Sequence, residues 1–257
     1  MSPSAEMAPS AVKPFLDHLE DLRWTLVRCA LALAAGVLVA FPLSPALLAL
    51  LRRPLSAVTD QPDQFLRSLD VGGAFSVSMR LAGWGGLLLS SPLLALFIGR
   101  FVFPGLFVHE KRVAVRTFGL AMLLFALGVT LCYFYALPAA LKMMFNVHTW
   151  MGVRAEWTIT SYIAFAMPFL IGFGLVFELP VVLVALGRMG FIRAAQLKAL
   201  RRHAIVAALV IGMVMTPPDV FSQILMAAPL IGLYEISIWL VAMSERRNRA
   251  LVPQQRL

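Results

Sequence analysis

The chain has 257 residues, 60% of them apolar and 14% charged, with a formal charge of +9 and a mean hydropathy of +0.84. Soluble domains carry roughly 45–50% apolar and about 25% charged residues, so a water-soluble globule is excluded, and so is a disordered chain. The basic residues sit between long apolar runs, which points to a membrane protein with charged loops and away from a nucleic-acid binder.

About 20 apolar residues cross a hydrocarbon layer of ~30 Å. The first run predicts a helix over 22–41, closed by Pro42 and Pro45. The second covers 75–103, with Arg80 and Arg100 near its ends and Pro92 inside. The third covers 113–138 and the fourth 159–187. The fifth, 203–216, would reach only roughly 21 Å at 1.5 Å per residue. It stops at the turn signal Thr216-Pro217-Pro218-Asp219, and a sixth run follows over 220–243. The expected fold is a single all-α integral membrane domain of six transmembrane helices. Its last two helices are short and form a tight hairpin that requires local thinning of the bilayer. The tails 1–13 and 245–257 are expected to be flexible, and residues 1–21 lack the pattern of a cleavable signal.

With six spans both termini share a side. That side collects 16 of the 22 lysines and arginines, against six on the other, a bias that puts both termini in the cytoplasm. The external connector 43–74 is long, and amphipathic spacing over 47–51 and 65–69 predicts an ordered cap. Cys29 and Cys132 each lie within an apolar stretch, as buried inert thiols do.

Signatures of catalysis and of cofactor or metal binding are missing. His109-Glu110 is followed by Lys111-Arg112-Val113, without the second His of a zinc-protease helix. The four histidines, at 18, 109, 148 and 203, have no metal-ligand spacing. No G-x-S-x-G element or Walker loop occurs. No catalytic residue, metal site or cofactor is therefore assigned.

The acids are placed unusually. Asp17-His18-Leu19-Glu20-Asp21-Leu22-Arg23 precedes the first run, and Phe103-Pro104-Gly105-Leu106-Phe107-Val108-His109-Glu110-Lys111-Arg112 follows the second. Phe177-Glu178-Leu179-Pro180 lies within the fourth. Thr216-Pro217-Pro218-Asp219-Val220-Phe221-Ser222-Gln223 and Leu233-Tyr234-Glu235 belong to the last two. Glu178 stands out by physics alone, since an ionisable group in an apolar helix is costly and faces protein or water. Pro180 should bend the helix beside it. The open readings of Glu178 from the residues are a structural salt bridge and the proton site of a small-molecule carrier.

In this order and spacing the motifs resemble the TatC family, the multispanning receptor subunit of the twin-arginine protein translocase, over roughly residues 14–240. The resemblance implies a concave, cupped bundle that recognises signal peptides with two consecutive arginines. With single-span TatB-type and TatA-type partners, it would pass folded precursors across a bacterial-type inner membrane, driven by the proton gradient. It also implies homo-oligomerisation within a receptor complex and, at Glu178, a polar spot on a concave face. Arg presents a planar fork that pairs bidentately with a carboxylate whereas Lys is a point charge, so such a receptor needs acids on its cytoplasmic face.

By resemblance the loop acid is Glu110. The N-terminal acid falls on Asp21, where the family usually has Glu, with Glu20 beside it. Which of the two reaches the signal is open, and Asp21 is favoured, with Arg23 to hold it. Phe101 joins this site. Ordinary helix-capping acids at 17, 20 and 21 and a solvated Glu110 are the plain alternatives. Met213, Asp219, Gln223 and Tyr133 are assigned by resemblance to contacts with a partner helix or to packing. Gln223 bonding within its own bundle is the alternative there. Glu235 is read either as an intramembrane polar site or as a hydrogen bond to a neighbouring helix.

Overall fold

The structure is a computed structural model that describes residues 13–69, 71–102, 111–215 and 220–251. In hydrocarbon every backbone N–H and C=O has to be paired within its own segment, so the apolar runs fold as helices. Along the chain these are α1 (Lys13–Ala40), α2 (Ser44–Arg52), α3 (Pro62–Phe65), α4 (Gly73–Val102), α5 (Lys111–Leu131), α6 (Leu137–Trp150), α7 (Ile159–Phe177), α8 (Leu179–Arg188), α9 (Ala194–Ala199), α10 (Arg201–Met215) and α11 (Val220–Leu251). Among the described residues, five segments are long and apolar enough to cross a membrane: Leu19–Ala40, Gly73–Phe101, Thr117–Trp150, Ile159–Arg188 and Val220–Arg246. The remaining expected span, the fifth in chain order, is α10, whose 15 residues reach only about 22 Å.

Several boundaries differ from the sequence expectation, each for a physical reason. The third helix does not stop at Pro138. The backbone widens into a π-turn over Cys132–Ala136, where the N–H of Leu137 reaches the carbonyl of Cys132. This shift to i→i+5 bonding absorbs the missing N–H of the proline, and the helix runs on to Trp150. The fourth helix is two rods, α7 and α8, separated by a turn at Glu178. Pro180 then occupies the first turn of α8, where a missing N–H costs nothing. Of the last two helices only α10 is short; α11 has 32 residues. It extends through 245–251, which were expected as tail. The tight turn at 216–219 lies outside the described residues.

The connector 43–74 does form structure, with α2 covering the amphipathic stretch 47–51. Over 65–69 the chain instead leaves α3 at Phe65, and the strand β1 (Leu66–Arg67) pairs in parallel with β2 (Trp157–Thr158). Arg67 meets Glu156 at 3.6 Å beside this pairing.

Helix α7 is the core. Phe169 and Phe173 are fully buried; Phe165 stacks on Phe169 with ring centroids 5.3 Å apart, and Phe169 meets Phe173 edge-on at 5.0 Å. The glycines before Glu178 serve close packing: a Cβ on Gly174 would lie 2.6 Å from the ring of Phe125 on α5. Helix α1 packs on α4 at backbone distance. A Cβ on Gly36 would lie 2.5 Å from the carbonyl oxygen of Gly86 and 3.2 Å from Ser90. Its counterpart on Gly86 would lie 2.6 Å from the amide of Val37, and on Gly85 3.4 Å from Ala40. As the α4 numbers rise the α1 numbers fall, so the two helices are antiparallel.

Candidate functional site

The antiparallel register fixes the level of the N-terminal acids. Stepping from Gly36 back to Asp21 is matched by stepping from Gly86 forward to the C-terminal end of α4, at 1.5 Å per residue in both helices. Glu20 and Asp21 therefore stand level with the end of α4, where Phe101 lies half-buried and the chain enters the segment carrying Glu110. Glu20, Asp21 and Arg23 are all exposed, and none forms an ion pair with a described residue. Arg23 therefore pairs with neither acid in the structure. Glu110 itself lies outside the described residues, as does Asp219.

Glu178 occupies the turn between α7 and α8, half-buried. It lines a cavity of about 460 Å³ bounded by α4, α5, α7 and α8. The other polar groups in that lining are Ser91 and Thr117, and the Ser91 hydroxyl donates to the Leu88 carbonyl at 2.7 Å. Among the described residues Glu178 has no ion-pair partner. The described geometry there is a carboxylate on an apolar concavity.

Glu235 takes the plainer of its two readings. Its carboxylate accepts from the Arg201 guanidinium at 2.7 Å and ties the start of α10 to α11. Gln223 likewise turns inward: its amide donates to the Leu209 carbonyl of α10 at 3.0 Å. Helix α10 comes this close because Gly212 has no side chain; a Cβ there would lie 2.9 Å from the Gln223 carbonyl oxygen. Met213 points outward from the same helix.

Tyr133 lies in the π-turn and donates to the Leu50 carbonyl at 2.9 Å. Tyr162, which sequence reasoning did not single out, donates to the next carbonyl, that of Leu51. Both carbonyls are at the C-terminal end of α2; that of Leu50 also accepts from the Arg53 N–H, whereas at Leu51 Pro54 explains the need for a side-chain donor. It stands at i+4 from Leu50 and i+3 from Leu51 but has no N–H to give. The two hydroxyls supply the donors and tie the cap to α7 and to the π-turn. Arg201 and Glu245 were also unflagged; Glu245 accepts from the Ala194 N–H at 2.8 Å and caps α9. Only the fold pairs these residues, across 34 and 51 positions.

Comparison with known proteins gives a consistent result. The family described as Sec-independent protein translocase protein (TatC) matches residues 17–229. The chain is 37% identical over 188 residues to such a protein from Akkermansia muciniphila, an alignment covering 73% of this chain and 54% of that one. It is 33% identical over 239 residues to the one from Aquifex aeolicus, covering 93% of this chain and 98% of the other. A crystal structure of a twin arginine translocase receptor, TatC, superposes with a TM-score of 0.79 at 33% identity, over 89% of this chain and 99% of that one. With the helical architecture and a family match across most of its length, the chain belongs to the TatC family, multi-pass membrane proteins of the Sec-independent protein translocase.

Proposed function

We propose that the chain is the receptor core of a twin-arginine translocase, binding the paired arginines of precursor signal peptides at the face that carries both termini. The observation that carries this reading is the exposed Glu20–Asp21 pair, unpaired with any described residue and level with the end of α4 that leads into Glu110. A guanidinium there gains a charge-assisted hydrogen bond of about 1.5–3 kcal/mol, which a carboxylate already held by a neighbouring arginine would not provide. Asp21 is the N-terminal contact, Glu110 the loop contact, and Phe101 the apolar neighbour.

The face of the termini is cytoplasmic, in line with the 16 to 6 distribution of basic residues, and the membrane is a bacterial-type inner membrane. Single-span TatB-type and TatA-type helices dock on the outer face of α10, where Met213 is exposed, with Gln223 near the start of α11 and Asp219 preceding α11 in the sequence. The receptor works as a homo-oligomer and uses the proton-motive force. A proton-coupled carrier built on Glu178 finds no support in the family match.

The test is photocrosslinking of a twin-arginine peptide to the full chain in membranes. Glu110→Ala and Asp21→Ala should each lower crosslinking about 10- to 100-fold, the equivalent of one charge-assisted bond. Glu20→Ala should have the smaller effect. Unchanged crosslinking in Glu110→Ala refutes the site, and a larger loss in Glu20→Ala transfers the N-terminal role to Glu20.

A further inference from the structure

Across α8 from the Glu178 cavity lies a second, larger groove of about 770 Å³, walled by α5, α8 and α11. Its three walls have matching lengths. They run from Thr117 to Leu127 on α5, from Phe177 at the end of α7 to Arg188 at the end of α8, and from Leu233 to Ser244 on α11. Each is about 15–17 Å long at 1.5 Å per residue, which is the depth of one leaflet of a hydrocarbon core ~30 Å thick.

Polarity is confined to one end. Thr117, Arg188 and Ser244 form the rim on the side of the termini, whereas Leu127, Phe177 and Leu233 close the other end. Among the described residues no acid lines the groove. The acids nearest in sequence are occupied: Glu235 by Arg201 at 2.7 Å and Glu245 by the Ala194 N–H at 2.8 Å. Glu178 lines the other cavity. Arg188 is exposed, makes no ion pair with a described residue, and shares its end of the fold with the exposed Arg246.

From an apolar channel one leaflet deep, with a cationic and hydroxylic rim at headgroup level, we infer that the groove binds an anionic phospholipid of the leaflet on the side of the termini. An acyl chain lies against Leu120, Leu124, Ile236 and Leu240, and the phosphate meets Arg188 beside the hydroxyls of Thr117 and Ser244. A transmembrane helix fits less well. It would need a surface along the whole bilayer and small or polar residues for close approach, but the walls are large aliphatics and end at mid-membrane depth.

The inference is tested on the full chain in mild detergent, offered equal amounts of phosphatidylglycerol and phosphatidylethanolamine with identical chains. Adducts are counted by native mass spectrometry. The wild-type chain should retain one lipid, with phosphatidylglycerol favoured at least fivefold. Arg188→Gln should keep an adduct but bring the ratio close to one. Ile236→Trp, which fills the groove from an exposed position, should lose both adducts. An unchanged ratio in Arg188→Gln, or an undiminished adduct in Ile236→Trp, overturns the site. A photocrosslinker at Leu240 in intact membranes provides an independent arm: a product with the added mass of a phospholipid supports the site, and a crosslink to another polypeptide refutes it.

Discussion

Replacing Tyr162 by Phe removes one hydroxyl and leaves the ring in place, which isolates the bond to α2. Tyr162 is 3% exposed and Leu51 4%, so the Leu51 carbonyl is left buried with no replacement from Pro54. An unsatisfied buried acceptor costs about 1–3 kcal/mol. The neighbouring pair is a built-in comparison. The Tyr133 bond is exposed, and the Leu50 carbonyl also accepts from the Arg53 N–H, so Tyr133→Phe should cost only about 0.5–1.5 kcal/mol. At 1.4 kcal/mol per tenfold, local opening of the cap should speed up roughly 5- to 150-fold in Tyr162→Phe and about 2- to 10-fold in Tyr133→Phe. Hydrogen–deuterium exchange of the full chain in detergent reads this directly, as faster exchange over 44–57 with the centre of α7 unchanged. Unaltered protection in Tyr162→Phe, or a larger effect from Tyr133→Phe, would refute the donor-replacement account of Pro54.

Two further predictions concern helix contacts. Gly86→Leu should destabilise the α1–α4 pair by overpacking of about 1–3 kcal/mol, because the added atoms meet the backbone of Val37 at 2.6 Å. Gly83→Ala meets nothing within 4 Å and should be neutral or stabilising, so a thermal retention assay in detergent that ranks the two in reverse order contradicts the packing. In a double-mutant cycle, Arg201→Gln and Glu235→Gln should show a coupling of only about 0.5–1 kcal/mol, since both side chains are about half exposed. The exchanged pair Arg201→Glu with Glu235→Arg should regain part of it; no recovery in chemical denaturation would mean the ion pair has no role in holding α10.

The helices were legible in the sequence because the bilayer allows few alternatives. A run such as 159–187 has to pair its own backbone and so has to be helical. The prolines were legible in part: the chain does turn beside Pro180, at Glu178, whereas Pro138 does not end its helix. Read as stops or kinks, Pro138 and Pro180 behave oppositely: a π-turn absorbs the first, while the second begins a new rod after Glu178. That choice depends on what packs around the backbone, information absent from local sequence. The same limit explains the site. Glu20, Asp21 and Glu178 could be singled out because a charge beside or inside an apolar run is conspicuous wherever it faces. The inward turn of Gln223 toward Leu209, and the partnership of Glu235 with Arg201, depend on the approach of α10 to α11. Tyr162 gave no signal at all, since an aromatic in the first turn of a membrane helix is ordinary and its value lies in a proline more than a hundred residues away.

The two cavities share a wall. Thr117, Val181 and Ala185 contribute to both linings, so only α8 and the start of α5 separate the carboxylate of Glu178 from the leaflet-deep groove. The turn at Glu178 separates α8 from α7, and α8 packs on its far side against α11. Any shift of α8 that widens one chamber takes volume from the other. Occupants of the two sides are then thermodynamically linked, and the effect of each on the affinity of the other is equal by reciprocity.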